Sequence, residues 1–162
     1  MELYFLRHGS AVDKSDSDSE RYLTSQGIKQ MRQVAKGMKR SGLSFDKILS
    51  SSYVRARQTA ELAAQGLRFK GKIRFVDVLV PGSDFKDFFK LLEGFEAEER
   101  ILFVGHQPLL GEFISQLIAG HKKAAIDLKK AGLCRVDTSE LGLVGEPAEL
   151  VWLLTPEQIS GR

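Results

Sequence analysis

Cysteine is nearly absent: Cys134 is the single one in 162 residues. One thiol excludes an internal disulfide and fits a reducing compartment. Histidine occurs three times, as His8, His106 and His121. With one cysteine, that is too thin a donor set for a metal centre, so no metal or other cofactor is expected. Apolar runs stay well short of the roughly 20 residues of a membrane span. No secretory leader pattern is visible, because Met1 runs straight into a short strand-like stretch, and a soluble cytoplasmic protein is expected. Charge of one sign is not blocked either. Lys and Arg number 24 against 21 Asp and Glu, a net +3, and the basic residues are spread along the chain. Nucleic-acid binding gets little support from this, while a mildly basic surface favours anionic substrates. There is no internal repeat, low-complexity tract or linker, and the length suits one domain spanning 1–162.

Strand-like and helix-like stretches alternate. Residues 2–6 (ELYFL) form a short β-rich run that stops at Arg7-His8-Gly9. Residues 13–20 (DKSDSDSE) read as a polar loop. Thr24 is placed to cap a helix, with Leu23 as a staple residue and Ile28, Met31, Val34, Ala35 and Met38 at helical spacing up to Ser41-Gly42. Residues 45–50 are expected as a strand, 53–64 as a helix with Ala56, Ala60 and Ala63 on one face, and 73–80 as containing a third strand. Asp84 is expected to cap a helix that turns Phe85, Phe88, Phe89, Leu91 and Leu92 mostly inward. The continuous apolar run 101–105 (ILFVG) is the pattern of a central strand covered on both faces. Pro108 is suited to the first position of a helix continuing through 109–119. Residues 133–137 and 148–154 are expected as a final hairpin or edge pair. The whole predicts a three-layer α/β/α sandwich on a mostly parallel, mixed sheet of about six strands.

Ligands of open α/β sheets sit beyond the carboxyl ends of the strands. Three such ends carry unusual residues: Arg7, His8 and Gly9 after the first strand, Ser51 and Arg55 after the second, His106 after 101–105. Two arginines and two histidines converging on one crevice suit a phosphoryl group, since guanidinium offers a planar fork of donors. Gly9 lets the backbone approach a ligand closely. Open amides at the start of the helix after Tyr53 would add to anion binding.

LRHG at 6–9, SSYVRARQTA at 51–60 and VGHQP at 104–108, in that order, resemble the three motifs of the histidine phosphatase superfamily. Small size and RYLTSQG at 21–27 narrow the resemblance to the SixA-type phosphohistidine phosphatases. It covers nearly the whole chain and implies a phosphoglycerate mutase-like fold. Matched position by position, it implies His8 as a nucleophile forming a transient phosphohistidine. Arg7, Arg55 and His106 would complete the phosphate pocket. Arg21 would reach its edge, and Ser51 would touch it. A neutral imidazole can attack at pH 7, given a free pKa near ~6.5. The two guanidiniums would neutralise charge during in-line transfer. Phosphate and vanadate are the expected ligands.

One departure bears on the substrate. Ester-cleaving relatives carry an acid after the third strand, where this chain has Val78, with Asp77 beside it. Phosphohistidine can leave without such an acid, because its far ring nitrogen takes a proton, whereas an alkoxide has no such option. One helix, with no lid insertion, separates the third and fourth strands, which suits a phosphohistidine presented on a signalling or phosphocarrier domain. The alternatives are a small-molecule phosphomonoesterase and a catalytically silent phosphate-binding module. Other features read as structural. His121 lies in a solvated turn, Cys134 in an apolar strand, and 122–130 in a solvated amphipathic segment. Ser50 to Ser52 lack a nucleophile-elbow pattern. The acidic loop lacks the glycine of a calcium site and is expected at the pocket mouth.

Overall fold

A computed structural model describes residues 1–138 and 147–161. Its elements run β1 (Glu2–Arg7), α1 (Ser25–Arg40), β2 (Lys47–Ser50), α2 (Val54–Leu67), β3 (Arg74–Phe75), α3 (Phe85–Leu92), β4 (Arg100–Gly105), α4 (Leu109–Ala119), β5 (Leu133–Asp137), β6 (Glu149–Leu154) and α5 (Pro156–Ser160). The strands form one sheet in the order β3-β2-β4-β1-β5-β6. β1 to β4 are mutually parallel, β5 is antiparallel to β1, and β6 returns antiparallel to β5 at the edge.

Side chains on a strand alternate between faces. Leu3, Phe5, Leu49, Ile101 and Phe103 therefore meet Phe88, Leu92, Leu110, Phe113 and Ile114 of α3 and α4. Tyr4, Leu6, Ile48, Leu102 and Val104 meet Met31, Val34 and Met38 of α1, Ala60 and Ala63 of α2, and Ile159 of α5. The α/β/α sandwich thus has one apolar layer on each side of the sheet.

Local chemistry sets the boundaries. Thr24 caps α1 by accepting from Gly27 N–H, and Asp84 caps α3 by accepting from Lys86 N–H. Phe88 and Leu92 are buried, while Phe85, Phe89 and Leu91 are half-buried. Three expectations shift. Tyr53 caps α2 rather than opening it, and the helix runs on to Leu67. Pro108 precedes the first helical residue of α4 instead of occupying it. The third strand is two residues long, pairing Leu49 with Arg74 and Ser50 with Phe75, before a 3-10 turn at Asp77–Leu79. The unanticipated α5 is held by Thr155 and Gln158, whose side chains each accept from the other's backbone N–H.

Candidate active site

β1 and β4 are adjacent and parallel, with Arg7 opposite Gly105, so both chains leave the sheet at one level. His8 N–H donates to the Gly105 carbonyl at 3.0 Å, and Ser51 N–H, just past β2, donates to the Val104 carbonyl at 3.0 Å. The rings of His8 and His106 are consequently 5.2 Å apart, centroid to centroid. Both histidines, Ser51 and Arg55 are buried.

Hydrogen bonds assign the His8 tautomer. Nδ1 lies 2.7 Å from the Gly9 carbonyl, which can only accept, so Nδ1 carries the proton. Nε2 keeps its lone pair and accepts from Arg55 Nε–H at 3.3 Å. Burial pushes the His8 pKa down to about 4, opposed by the Gly9 bond and reinforced by Arg55, Arg7 and Lys130. The ring is therefore neutral near pH 7. His106 is also neutral: burial, then the proximity of His8 and Arg55, brings it to about 3. Its Nε2 is 2.8 Å from Ser51 Oγ, which already accepts from Tyr53 N–H at 3.2 Å. Ser51 O–H can then donate to Nε2, which puts the ring proton on Nδ1. That Nδ1 is buried and has no partner among the described residues.

Arg7 reaches the same site from β1. Its Nη1 donates to the Leu128 carbonyl at 2.8 Å, and its buried Nε has no partner among the described residues. Burial lowers its pKa, opposed by Asp127. The 122–130 segment that supplies this anchor forms no helix, and it turns Leu128 into the core.

The remaining residues are arranged differently from a simple phosphate cup. Arg55 points its Nη1 at the Asp18 carbonyl, 2.6 Å, and its Nη2 at the Asp18 carboxylate, 3.2 Å. Arg21 touches neither histidine: it donates to the Val12 carbonyl at 2.7 Å and to Asp18 Oδ1 at 2.9 Å. Arg21, then Arg55, holds the Asp18 carboxyl below the usual carboxylate range. The acidic loop thus does lie at the pocket mouth, and Asp18 is the residue of it that matters. Its pairing with Arg21, three positions on, and with Arg55, 37 positions away, distinguishes it from the neighbouring acids. Gly9 has another local reason than ligand approach. A Cβ there would meet Met31 Cγ at 3.1 Å and Leu23 Cδ2 at 3.4 Å, so glycine lets this turn pack on α1.

The rest of the second motif acts as clamps. Gln58 Oε1 accepts from Leu23 N–H at 2.7 Å, and Thr59 Oγ1 accepts from Gly9 N–H at 3.1 Å. Tyr53, also unforeseen, lies 5.3 Å from the His106 ring and 5.3 Å under the Arg55 guanidinium. Asp77 is exposed at the start of its 3-10 turn. His121 is exposed and accepts from Lys123 N–H. The buried Cys134 thiol is pushed up to about 12 by desolvation.

Chemically, a neutral imidazole, its Nε2 lone pair engaged by Arg55 alone among the described residues, sits among guanidiniums and two unpaired buried nitrogens. An unpaired buried donor costs about 1–3 kcal/mol, which the oxygens of a tetrahedral anion can recover.

The histidine phosphatase superfamily (branch 1) profile matches residues 3–78. The phosphohistidine phosphatase SixA homolog of Haemophilus influenzae is 32% identical over 127 residues, 72% of this chain and 77% of that protein. Phosphohistidine phosphatase SixA of Escherichia coli is 29% identical over 122 residues, 74% of this chain and 76% of that protein. The structure of the protein histidine phosphatase SixA complexed with tungstate matches with a TM-score of 0.87 and 25% identity, covering 96% of this chain and 97% of that one. Shared sequence and shared fold thus lead to one conclusion: the chain belongs to the histidine phosphatase superfamily, as a SixA-type hydrolase.

Proposed function

We propose that the chain is a metal-independent phosphohistidine phosphatase acting on a histidine-phosphorylated signalling or phosphocarrier domain. The observation that carries this reading is the oriented, neutral His8, whose Nε2 lone pair faces Arg55 beside the unpaired nitrogens of Arg7 and His106. His8 Nε2 gives up its hydrogen bond from Arg55 and attacks phosphorus as the substrate P–N bond breaks, its electron pair leaving on the substrate imidazole, while the Gly9 carbonyl holds the Nδ1 proton of the resulting phosphoimidazolium. Arg7 Nε, Arg55 and His106 Nδ1–H bind the equatorial oxygens, where negative charge is spread in the transition state. Ser51 keeps the His106 proton on Nδ1. Arg21 acts at one remove, by holding Asp18. Water then attacks phospho-His8, the electron pair of the broken P–N bond returns to Nε2, and inorganic phosphate leaves. Guanidiniums around His8 disfavour a bound cation, hence metal independence. The phosphoryl-shaped pocket is expected to take phosphate and vanadate, and the tungstate-bound relative supports this.

Residues 1–162 work as one domain in the cytoplasm, without nucleic acid or membrane. No helix among the described residues is long and apolar enough to cross a membrane. The P–N substrate is favoured over an alkyl ester because Asp77, the sequence's candidate acid, is exposed on its turn.

The test is dephosphorylation of a purified histidine-phosphorylated carrier domain in EDTA, comparing wild type with His8→Ala. Rapid release by wild type alone supports both substrate and nucleophile. Equal activity in the variant removes His8 from the mechanism. Loss in EDTA restored by a divalent ion removes metal independence. Inactivity of both on this substrate, with turnover of alkyl phosphates, moves the assignment to a phosphomonoesterase.

A further inference from the structure

A cavity of about 180 Å³ opens beside His106, between the Pro81–Gly82–Ser83 turn and the first turns of α4. Its polar side chains are few. Gln107 is spent on the Ile126 carbonyl and Gly111 N–H, and Ser83 Oγ donates to the carbonyls of Asp77 and Val80. That leaves the Glu112 and Lys122 side chains for an occupant, beside the buried His106 ring. Glu112 Oε2 lies 3.7 Å from Lys122 Nζ, both side chains partly exposed. Glu112 is thus a carboxylate sharing a cavity with a residue of the phosphate pocket. The cavity is smaller than the roughly 300–1,000 Å³ of typical small-molecule sites and suits a single side chain.

We propose that this cavity receives the leaving-group imidazole of the substrate, with Glu112 accepting a hydrogen bond from the ring's far N–H. The inference rests on the phosphohistidine reading above. An ionised carboxylate favours the protonated ring, and a phosphoimidazolium is the form from which nitrogen departs easily. When His8 Nε2 bonds to phosphorus, the substrate P–N bond breaks and its electron pair stays on the leaving nitrogen. The far nitrogen keeps its proton, so the product is neutral imidazole, and the positive charge passes to the phospho-His8 ring. No proton has to be supplied during the step. Lys122 offsets the Glu112 charge, so an incoming phosphoryl dianion is not repelled. An alkyl ester gains nothing here, because its leaving oxygen carries no N–H for Glu112 to hold. The device therefore selects for P–N substrates by a route separate from an acid at Asp77.

The test compares wild type with Glu112→Gln on a histidine-phosphorylated carrier domain and on p-nitrophenyl phosphate, whose phenolate leaves unprotonated. A charge at hydrogen-bond range moves a partner's pKa by about 1–3 units. The ratio of the two kcat/KM values is accordingly expected to fall about tenfold, and the alkaline limb for the carrier domain to move to lower pH. Vanadate affinity, which reads the phosphate pocket, reports that the variant is folded. A ratio within twofold of wild type, or an unmoved alkaline limb, overturns the assignment of Glu112 alone. Failure of wild type to turn over the carrier domain overturns the functional reading and this inference together.

Discussion

The two buried histidines make stability depend on pH in a calculable way. In the unfolded chain each titrates near ~6.5, whereas in the fold they are held at about 4 for His8 and about 3 for His106. The unfolded state therefore binds more protons below pH 6.5, and stability rises with pH through this window. The contribution is complete above about 6.5, drains as pH falls, and levels off only below the folded-state values. At pH 5 the unfolded histidines are about 1.5 units below their pKa. At about 1.36 kcal/mol per unit, each costs roughly 2 kcal/mol, or about 4 kcal/mol together. That is a large fraction of the 5–15 kcal/mol typical of a domain. Asp18 and Asp127, whose partners hold them below the usual carboxylate range, add no loss of their own until the pH is lower still. Urea unfolding at pH 7 and pH 5 measures the loss, and the His8→Asn/His106→Asn double variant, which cannot protonate at these positions, should lose less than about 1 kcal/mol. An equal loss in the double variant, or a wild-type loss under about 1 kcal/mol, would refute the assignment of buried neutral rings.

Arg55→Lys keeps a charge but loses the Nε–H on His8 Nε2 and the paired contact with Asp18. It is expected to cut kcat/KM by about 10²–10³ with little change in Tm; a loss under fivefold contradicts the role. Asp18→Asn removes a carboxylate that competes for Arg55 and should tighten vanadate inhibition by about two- to fivefold, a modest figure because Asp18 is exposed. Weaker inhibition would show that Asp18 positions Arg55 rather than competing for it. Gly27→Ala drives a Cβ to 2.1 Å from the Ser10 carbonyl. It should destabilise by about 1–3 kcal/mol in chemical denaturation and lower turnover as the Gly9 turn shifts. An unchanged Tm would mean that α1 yields freely.

What could be read in the sequence was what local pattern encodes. The 101–105 run had to be covered on both faces, and its partners Leu110 and Val34 lie in opposite layers. Helical spacing after Thr24 and the strand-end positions of His8, Ser51 and His106 were visible in the same way. What escaped was set by distance along the chain or by brevity. The Arg21–Asp18–Arg55 chain joins a loop to a helix, and no local signal singles out Asp18 among its acidic neighbours. α5 spans five residues, too few for periodicity, although Thr155 and Gln158 carry its capping signature. A second constraint on position 9 was not legible, because it comes from Met31 and Leu23, packed behind the turn.

The chain leaving β1 goes to α1 on one side of the sheet, and the chain leaving β4 goes to α4 on the other. The histidine pair therefore straddles a parting of ways. Each ring follows a strand whose next helix lies in a different layer, and their 5.2 Å spacing rests on the β1–β4 pairing between those layers. The site thus acts as a built-in gauge of the whole tertiary structure. Thermal inactivation should coincide with cooperative unfolding rather than precede it, and damage confined to either layer should register as lost catalysis.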